Sequence, residues 1–180
     1  MQYLDRLLTS LDIHENYQTE TASPGSKDDE ALQLSAKNVH TYLSKVMYRR
    51  RSEFDPLWNH ILVAGLDSDN LPFLASVDLL GTKFSSPSLA TGFGAHLAQP
   101  LLRKVAPDEN AVKNLSKDQA VAVVRECMKV LFYRDARSMD RYSLAVVTEQ
   151  GDVELSTDEK LEGQNWAFAD RIRGYGTQVN

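Results

Sequence analysis

The polar run Tyr133-Arg134-Asp135-Ala136-Arg137-Ser138 holds the residue types that acid–base or nucleophilic chemistry draws on: a carboxylate beside two guanidiniums, and a hydroxyl three residues on. A hydroxyl attacks only when a base takes its proton. From spacing alone the run reads instead as the C-terminal turn of a helix, with Asp135 fixed by Arg134 or by backbone N–H groups and a charge pair holding the turn. Gly92-Phe93-Gly94 stands before a helical stretch, where an anion could sit. Two glycines outside a phosphate-loop context read as a tight turn. The four histidines, His14, His40, His60 and His96, have no second histidine or cysteine at metal-ligand spacing, so no zinc site is expected. His60 opens an apolar strand and reads as a hydrogen-bonded core or rim residue. No G-x-S-x-G elbow or Walker sequence occurs. Cys127, the single cysteine, lies in the apolar-rich stretch Val121–Phe132 and has no internal disulfide partner. Burial keeps a thiol protonated and inert, which suits a core residue from a reducing compartment.

The elements that must position these groups follow from periodicity. Leu4, Leu7, Leu8 and Leu11 recur at helical spacing from the first turn, and Thr19–Glu30 is a polar loop. Val39, Tyr42, Leu43, Val46 and Met47 mark a second amphipathic helix, which ends before Asp55-Pro56. His60-Ile61-Leu62-Val63-Ala64 predicts a strand buried on both faces. Asp67-Ser68-Asp69-Asn70 predicts a turn, and Leu71–Leu80 a second strand that closes a hairpin. Thr82–Leu89 reads as extended. Gly94–Val105 is helical, with Pro100 kinking or splitting it. Ser116 and Gln119 form a capping-box pattern that opens the longest helix, to about Arg134. Two apolar stripes run along that helix, Ala120, Val123, Cys127, Val130 and Val121, Val124, Met128, Leu131, with Arg125, Glu126 and Lys129 on the polar side. So wide an apolar face predicts more than one packing neighbour. Tyr142–Thr148 and Val153–Leu155 predict a second hairpin around Gln150-Gly151. Trp166, Phe168, Ala169 and Ile172 suggest a short last helix before a polar, glycine-broken tail, Gly174–Asn180.

With 180 residues the chain suits one domain. A net charge of −5 argues against nucleic-acid binding, and Arg49-Arg50-Arg51, with Lys45 a turn earlier, reads as the cationic C-terminus of a helix. No apolar run approaches the roughly 20 residues that cross a membrane, and no signal-peptide pattern is visible. The order ααβββ-αα-ββα fits an α+β fold better than alternating βαβ units. About five strands against five helices is a poor balance, and the helix beginning at residue 1 is abrupt. Both lead to the expectation that strands belonging to the fold are absent ahead of it.

Longer motifs carry a resemblance. Pro56-Leu57-Trp58-Asn59, Leu79-Leu80-Gly81, Ser86-Pro87-Ser88-Leu89-Ala90-Thr91-Gly92-Phe93-Gly94-Ala95, Pro100-Leu101-Leu102-Arg103 and Leu131–Ser138 resemble the β-type subunits of the 20S proteasome core. The ending from Asn165-Trp166 continues the likeness more weakly, with a fungal-like tail. Among β types the chain is most similar to the seventh ring position, called β type 4 in mammals. The resemblance covers nearly the whole chain, with Thr19–Glu30 matching least.

That resemblance implies a four-layer αββα sandwich of the N-terminal-nucleophile hydrolase type, here incomplete at its N-terminus, and a single domain over residues 1–180. Active members use an N-terminal threonine tuned by an early aspartate and lysine, and supported by a later aspartate and two serines. The early group has no counterpart in this sequence. Asp135 and Ser138 match the later aspartate and one serine, while Phe93 stands where active members have the other. Gly81-Thr82 resembles a processing junction only in its two letters and lies mid-domain. The seventh position is inactive in the family, so Asp135 and Ser138 read as remnants that hold the fold. The resemblance implies no cofactor, no metal, no nucleic acid and no membrane. Its implied partners are the other β subunits of the same and the opposite ring and the α ring, in cytoplasm and nucleus. It implies a C-terminal tail reaching between subunits, with Trp166, Phe168 and Ile172 as anchors and Gly174, Tyr175, Gly176, Thr177 and Gln178 running along a neighbour. Two other readings stand beside this structural subunit: an active threonine endopeptidase whose N-terminal segment is missing, and a truncated chain unable to assemble.

Overall fold

The computed structural model describes residues 34–148 and 152–172. The helix expected at Leu4–Leu11, the loop Thr19–Glu30 and the tail Gly174–Asn180 lie outside the described residues.

Helix α1 (Ala36–Ser52) starts where the Ser35 hydroxyl accepts the Asn38 N–H at 3.3 Å, and it ends on Arg49, Arg50 and Arg51, as the helix dipole favours. One face, at the i, i+3, i+4, i+7 spacing, is buried: His40, Leu43, Ser44 and Met47. It packs on an antiparallel sheet of order β1-β2-β3, formed by β1 (Ile61–Leu66), β2 (Pro72–Val77) and β3 (Lys83–Ser85). Leu43, Met47 and Val77 are the centre of that core, with Val39, Leu57, Ile61 and Val63 around them. Both buried polar groups on the face are satisfied. His40 Nε2 donates to the Ser76 carbonyl at 2.9 Å, and the Ser44 hydroxyl donates to the Gly81 carbonyl at 2.9 Å.

Two turns join the three strands by the same device. Asp67 Oδ1 accepts the N–H groups of Asp69 and Leu71, and Asp78 Oδ1 accepts those of Leu80 and Thr82. Asn70 and Gly81 take the positive φ each turn needs, +56° and +79°. Register follows, with Ile61 opposite Val77 and Ala75 opposite Ser85. Strand β1 corrects an expectation: it is not buried on both faces. Ile61 and Val63 turn inward, while Leu62 and Ala64 are exposed, because among the described residues only α1 covers this sheet.

Pro100 splits the next helical stretch as expected, into α2 (Gly94–Leu97) and α3 (Gln99–Val105), with the proline in the first turn of α3, where its missing N–H costs nothing. Gln99 is buried, and its amide donates to the carbonyl and the hydroxyl of Ser88. A five-residue helix that the sequence did not announce, α4 (Glu109–Lys113), is capped by Asp108, whose Oδ1 accepts the Ala111 N–H at 2.8 Å. Helix α5 (Lys117–Arg134) carries the full capping box of Ser116 and Gln119. It packs on α2 and α3, and Cys127 is buried with its Sγ 3.8 Å from the Ala98 carbonyl. The second hairpin is β4 (Arg141–Val147) with β5 (Val153–Lys160), Ala145 opposite Leu155 and an irregularity between Tyr142 and Leu144. Strand β5 runs five residues beyond the predicted Leu155. The last helix is a 3₁₀ turn, Ala167–Arg171, short enough for Asn165 Oδ1 to accept the Ala167 N–H at its start. The order of elements is α+β with purely antiparallel sheets.

Candidate functional site

The C-terminal end of α5 positions Asp135 and Ser138. Asp135 is the cap, its N–H donating to the Leu131 carbonyl at 2.7 Å, and its Oδ1 accepts the Arg137 N–H at 3.0 Å. The Ser138 hydroxyl donates to the Asp135 carbonyl at 2.6 Å, with the Leu131 and Phe132 carbonyls at 3.3 and 3.4 Å. The turn is therefore held by the Asp135 carboxylate on a backbone N–H, one of the two means expected for it, and by a hydroxyl on carbonyls of the helix end, while no charge pair of Asp135 occurs among the described residues. Asp135 and Ser138 are brought together, but through the Asp135 backbone. The Ser138 proton is directed at backbone carbonyls, so this arrangement holds a helix end.

Phe93 lies elsewhere. It follows Gly92, whose φ is +61°, and leads into α2 with its ring exposed. The tight turn expected there is present, and no hydrogen bond or ring contact joins Phe93 to Asp135 or Ser138 among the described residues. Among the histidines, His40 is engaged with Ser76, and His60 and His96 are exposed, so His60 is a rim residue and not a core one. Among the described residues no three His, Cys, Asp or Glu side chains gather as a metal site. Burial, with Glu126 nearby, pushes the Cys127 thiol up, toward the protonated and unreactive form.

Trp166 and Phe168, two of the three residues read as anchors, lie together on the end of α5. Trp166 meets Tyr133 edge-on at 5.0 Å between ring centroids and Phe132 at 6.0 Å, and it stacks with Phe168 at 5.9 Å. The Asn165 N–H donates to the Tyr133 hydroxyl at 2.7 Å, tying the last turn to α5. Tyr133 and Phe132 are the platform, and sequence reasoning missed that role. Their only signal was aromatic character at the end of a helix, which says nothing about a partner more than 30 residues away. Beside the cluster is a hollow of about 630 Å³ bounded by Val130, Tyr133, Arg134, Trp166, Phe168 and Ile172. Ile172 is the most exposed of the three anchors.

A second polar constellation joins α5 to the β4–β5 hairpin. The Tyr142 hydroxyl donates to Glu159 at 2.8 Å, and Arg125 donates to both partners. Hydrogen bonds from Ser156 and Tyr142, with Arg125 behind them, hold the Glu159 carboxyl below its ordinary range. Partial desolvation and the Glu159 carboxylate push the Tyr142 phenol up. The groups satisfy one another, and the site reads as a clasp between elements.

Residues 13–147 match a family model described as "Proteasome subunit". The chain is 49% identical over 180 residues to a probable proteasome subunit beta type-7 of Schizosaccharomyces pombe, covering 99% of this chain and 63% of that protein. It is 43% identical to the proteasome subunit beta type-7 of Saccharomyces cerevisiae, over 99% of this chain and 65% of the relative. It is 46% identical to the proteasome subunit beta type-4 of Xenopus laevis, over 78% of this chain and 56% of the relative. The chain thus spans less than two thirds of the length of these relatives.

Proposed function

The chain belongs to the proteasome subunit family, and from that premise we propose that it acts as a non-catalytic, structural β-type subunit of the 20S core particle. In this role it contributes to assembly of the β ring and to the joining of half-particles in ubiquitin-dependent protein degradation, in cytoplasm and nucleus. Its two hairpin sheets and their helices are, on this reading, parts of one four-layer αββα domain of the N-terminal-nucleophile hydrolase type. The observation that carries the proposal is the likeness of 99% of the chain to two fungal subunits named beta type-7. Physical support comes from surface character. Among the described residues seventeen large hydrophobics are exposed against eight buried hydrophobics, and the β4–β5 ribbon has no further strand on either edge. Surface of that kind belongs to a chain completed by further polypeptide, its own or a neighbour's.

Phe93, in the position where active members carry a serine, supports the non-catalytic role, as does the turn-holding use of Ser138. The test is to tag the chain at its natural locus, purify under native conditions, and identify the companions by mass. Co-purification in a particle of proteasomal size, with peptidase activity that survives Ser138→Ala, is the expected result. A chain that migrates alone, or a particle whose activity vanishes with Ser138→Ala while its amount is unchanged, overturns it.

A further inference from the structure

Helix α1 ends in a left-handed turn occupied by a bulky, exposed side chain. The Phe54 N–H donates to the Arg51 carbonyl at 3.2 Å, and the Asp55 N–H to the Arg50 carbonyl at 3.0 Å. This pair of bonds is a Schellman ending, in which Phe54 occupies the left-handed position usually given to glycine. Its φ is +54°, a strained conformation for a bulky side chain. The ring gains nothing to offset that strain, since Phe54 is 96% exposed. The turn is clamped nonetheless, with Arg50 bonded to the Asp55 carboxylate at 2.7 Å and to its carbonyl at 2.8 Å.

Trp58 follows four residues later, within about 14 Å of chain, and is 83% exposed. It is not loose. Leu57 beside it packs into the core of α1 and the first sheet, and the Asn59 N–H donates to the Leu57 carbonyl at 2.7 Å. Two large aromatics are thus held outward by an ordered loop. Around them Arg49 and Arg50 are matched by Glu53 and Asp55, while Lys45 and Arg51 pair with no carboxylate among the described residues. Arg51 lies over the exposed Tyr48 ring, 5.9 Å from its centroid. This stretch is cationic on a chain whose net charge is −5.

We propose that Phe54 and Trp58, with Arg51 and Lys45 beside them, form a docking knob for a neighbouring protein subunit whose facing surface is an apolar pocket rimmed by carboxylates. The turn is held ready by its own hydrogen bonds and the Arg50–Asp55 clamp, and on docking both rings leave water and the cations meet opposite charge. None of these residues belongs to the Trp166 cluster. The inference rests on the subunit reading above and adds to it a specific contact.

The test uses the assembled particle, with the tagged chain replaced in cells by Phe54→Gly, Trp58→Ala or Arg51→Glu, and with a photo-crosslinking residue at position 58. Glycine suits the left-handed turn, so Phe54→Gly relieves strain and leaves the fold intact. The expected result is incorporation reduced about tenfold or more for Phe54→Gly and Trp58→Ala. Arg51→Glu is expected to incorporate less as well, and the position-58 crosslink is expected in a peptide of another subunit that contains Asp or Glu. Variants that incorporate like the wild type, or a particle in which position 58 crosslinks to nothing, overturn the inference and leave the subunit reading standing. A crosslink to a second copy of this chain also overturns it. A wild-type chain found outside any particle overturns both.

Discussion

Gly81 and Gly92 both hold a positive φ, yet they stand in different surroundings. A Cβ on Gly81 would lie 2.8 Å from the Ser44 carbonyl oxygen and 2.9 Å from the Tyr48 backbone nitrogen, whereas one on Gly92 meets nothing within 4 Å. Gly92→Ala is therefore expected to cost only the backbone strain, about 1 kcal/mol. Gly81→Ala adds a collision between α1 and the β2–β3 turn and is expected to cost about 3 kcal/mol or more, or to prevent folding. Urea unfolding of the two variants distinguishes these outcomes, and equal losses would contradict the packing described. Ser138 offers a third residue-scale test. Its hydroxyl satisfies carbonyls at the end of α5, so Ser138→Ala is expected to lower stability by about 1 kcal/mol. The motif Asp135–Ser138 was legible in the sequence as a helix end, and a backbone N–H was one of the two partners expected for Asp135, but the Ser138 closure was not. A charge pair and a hydroxyl-to-carbonyl bond fit the same residues, and only the backbone path chose between them.

At the scale of elements, α5 and the β4–β5 hairpin are joined through polar groups: Lys117 with Glu154, and Arg125 with Tyr142 and Glu159. The Glu159 carboxyl is held below its ordinary range, chiefly by hydrogen bonds from Ser156 and Tyr142. A depressed carboxylate adds stability that is fully present above its unfolded value and is lost as pH falls through the folded one. The clasp is thus expected to loosen only in acid, below the ordinary carboxylate range. Glu159→Gln should flatten that part of the acid limb while leaving neutral-pH hydrogen exchange of the β1–β2 hairpin unchanged. If the acid limb of Glu159→Gln matches that of the wild type, the clasp carries no linkage. Ser116→Ala is expected to cost about 1 kcal/mol and to raise amide exchange in the first turn of α5. The capping box could be read directly because its two residues are three apart. The clasp could not, since Arg125 and Glu159 are far apart in the chain and charged residues on helix and strand faces are usually solvated.

For the whole molecule the expectation is dependence on neighbours. With so many large hydrophobics exposed among the described residues, the purified chain on its own is expected to self-associate at micromolar concentration. Light scattering that shows a monodisperse, cooperatively unfolding monomer would contradict this expectation and count strongly against the reading of a truncated chain unable to assemble. Truncation after Ile172 tests the other end. Trp166 and Phe168 stay seated on Tyr133 without the tail, so the last turn should survive. Half-particles are expected to accumulate on native gels, and normal yields of full particles would remove the tail from the proposal.

By itself the sequence determined the local pieces: the capped start at Ser116, the split at Pro100, the Asp67 turn and the two hairpins, and the burial of Cys127. These are signals written within four residues of one another, where backbone geometry leaves few alternatives. Its longer motifs also pointed to the family that the comparisons show. Tertiary structure alone decided that Trp166 rests on Tyr133, that His40 bonds Ser76, and that Phe54 is a bare aromatic in a glycine position. Each depends on groups meeting across elements, or on what fails to cover a side chain. Periodicity along one segment records neither, because it specifies a face and not what lies against it.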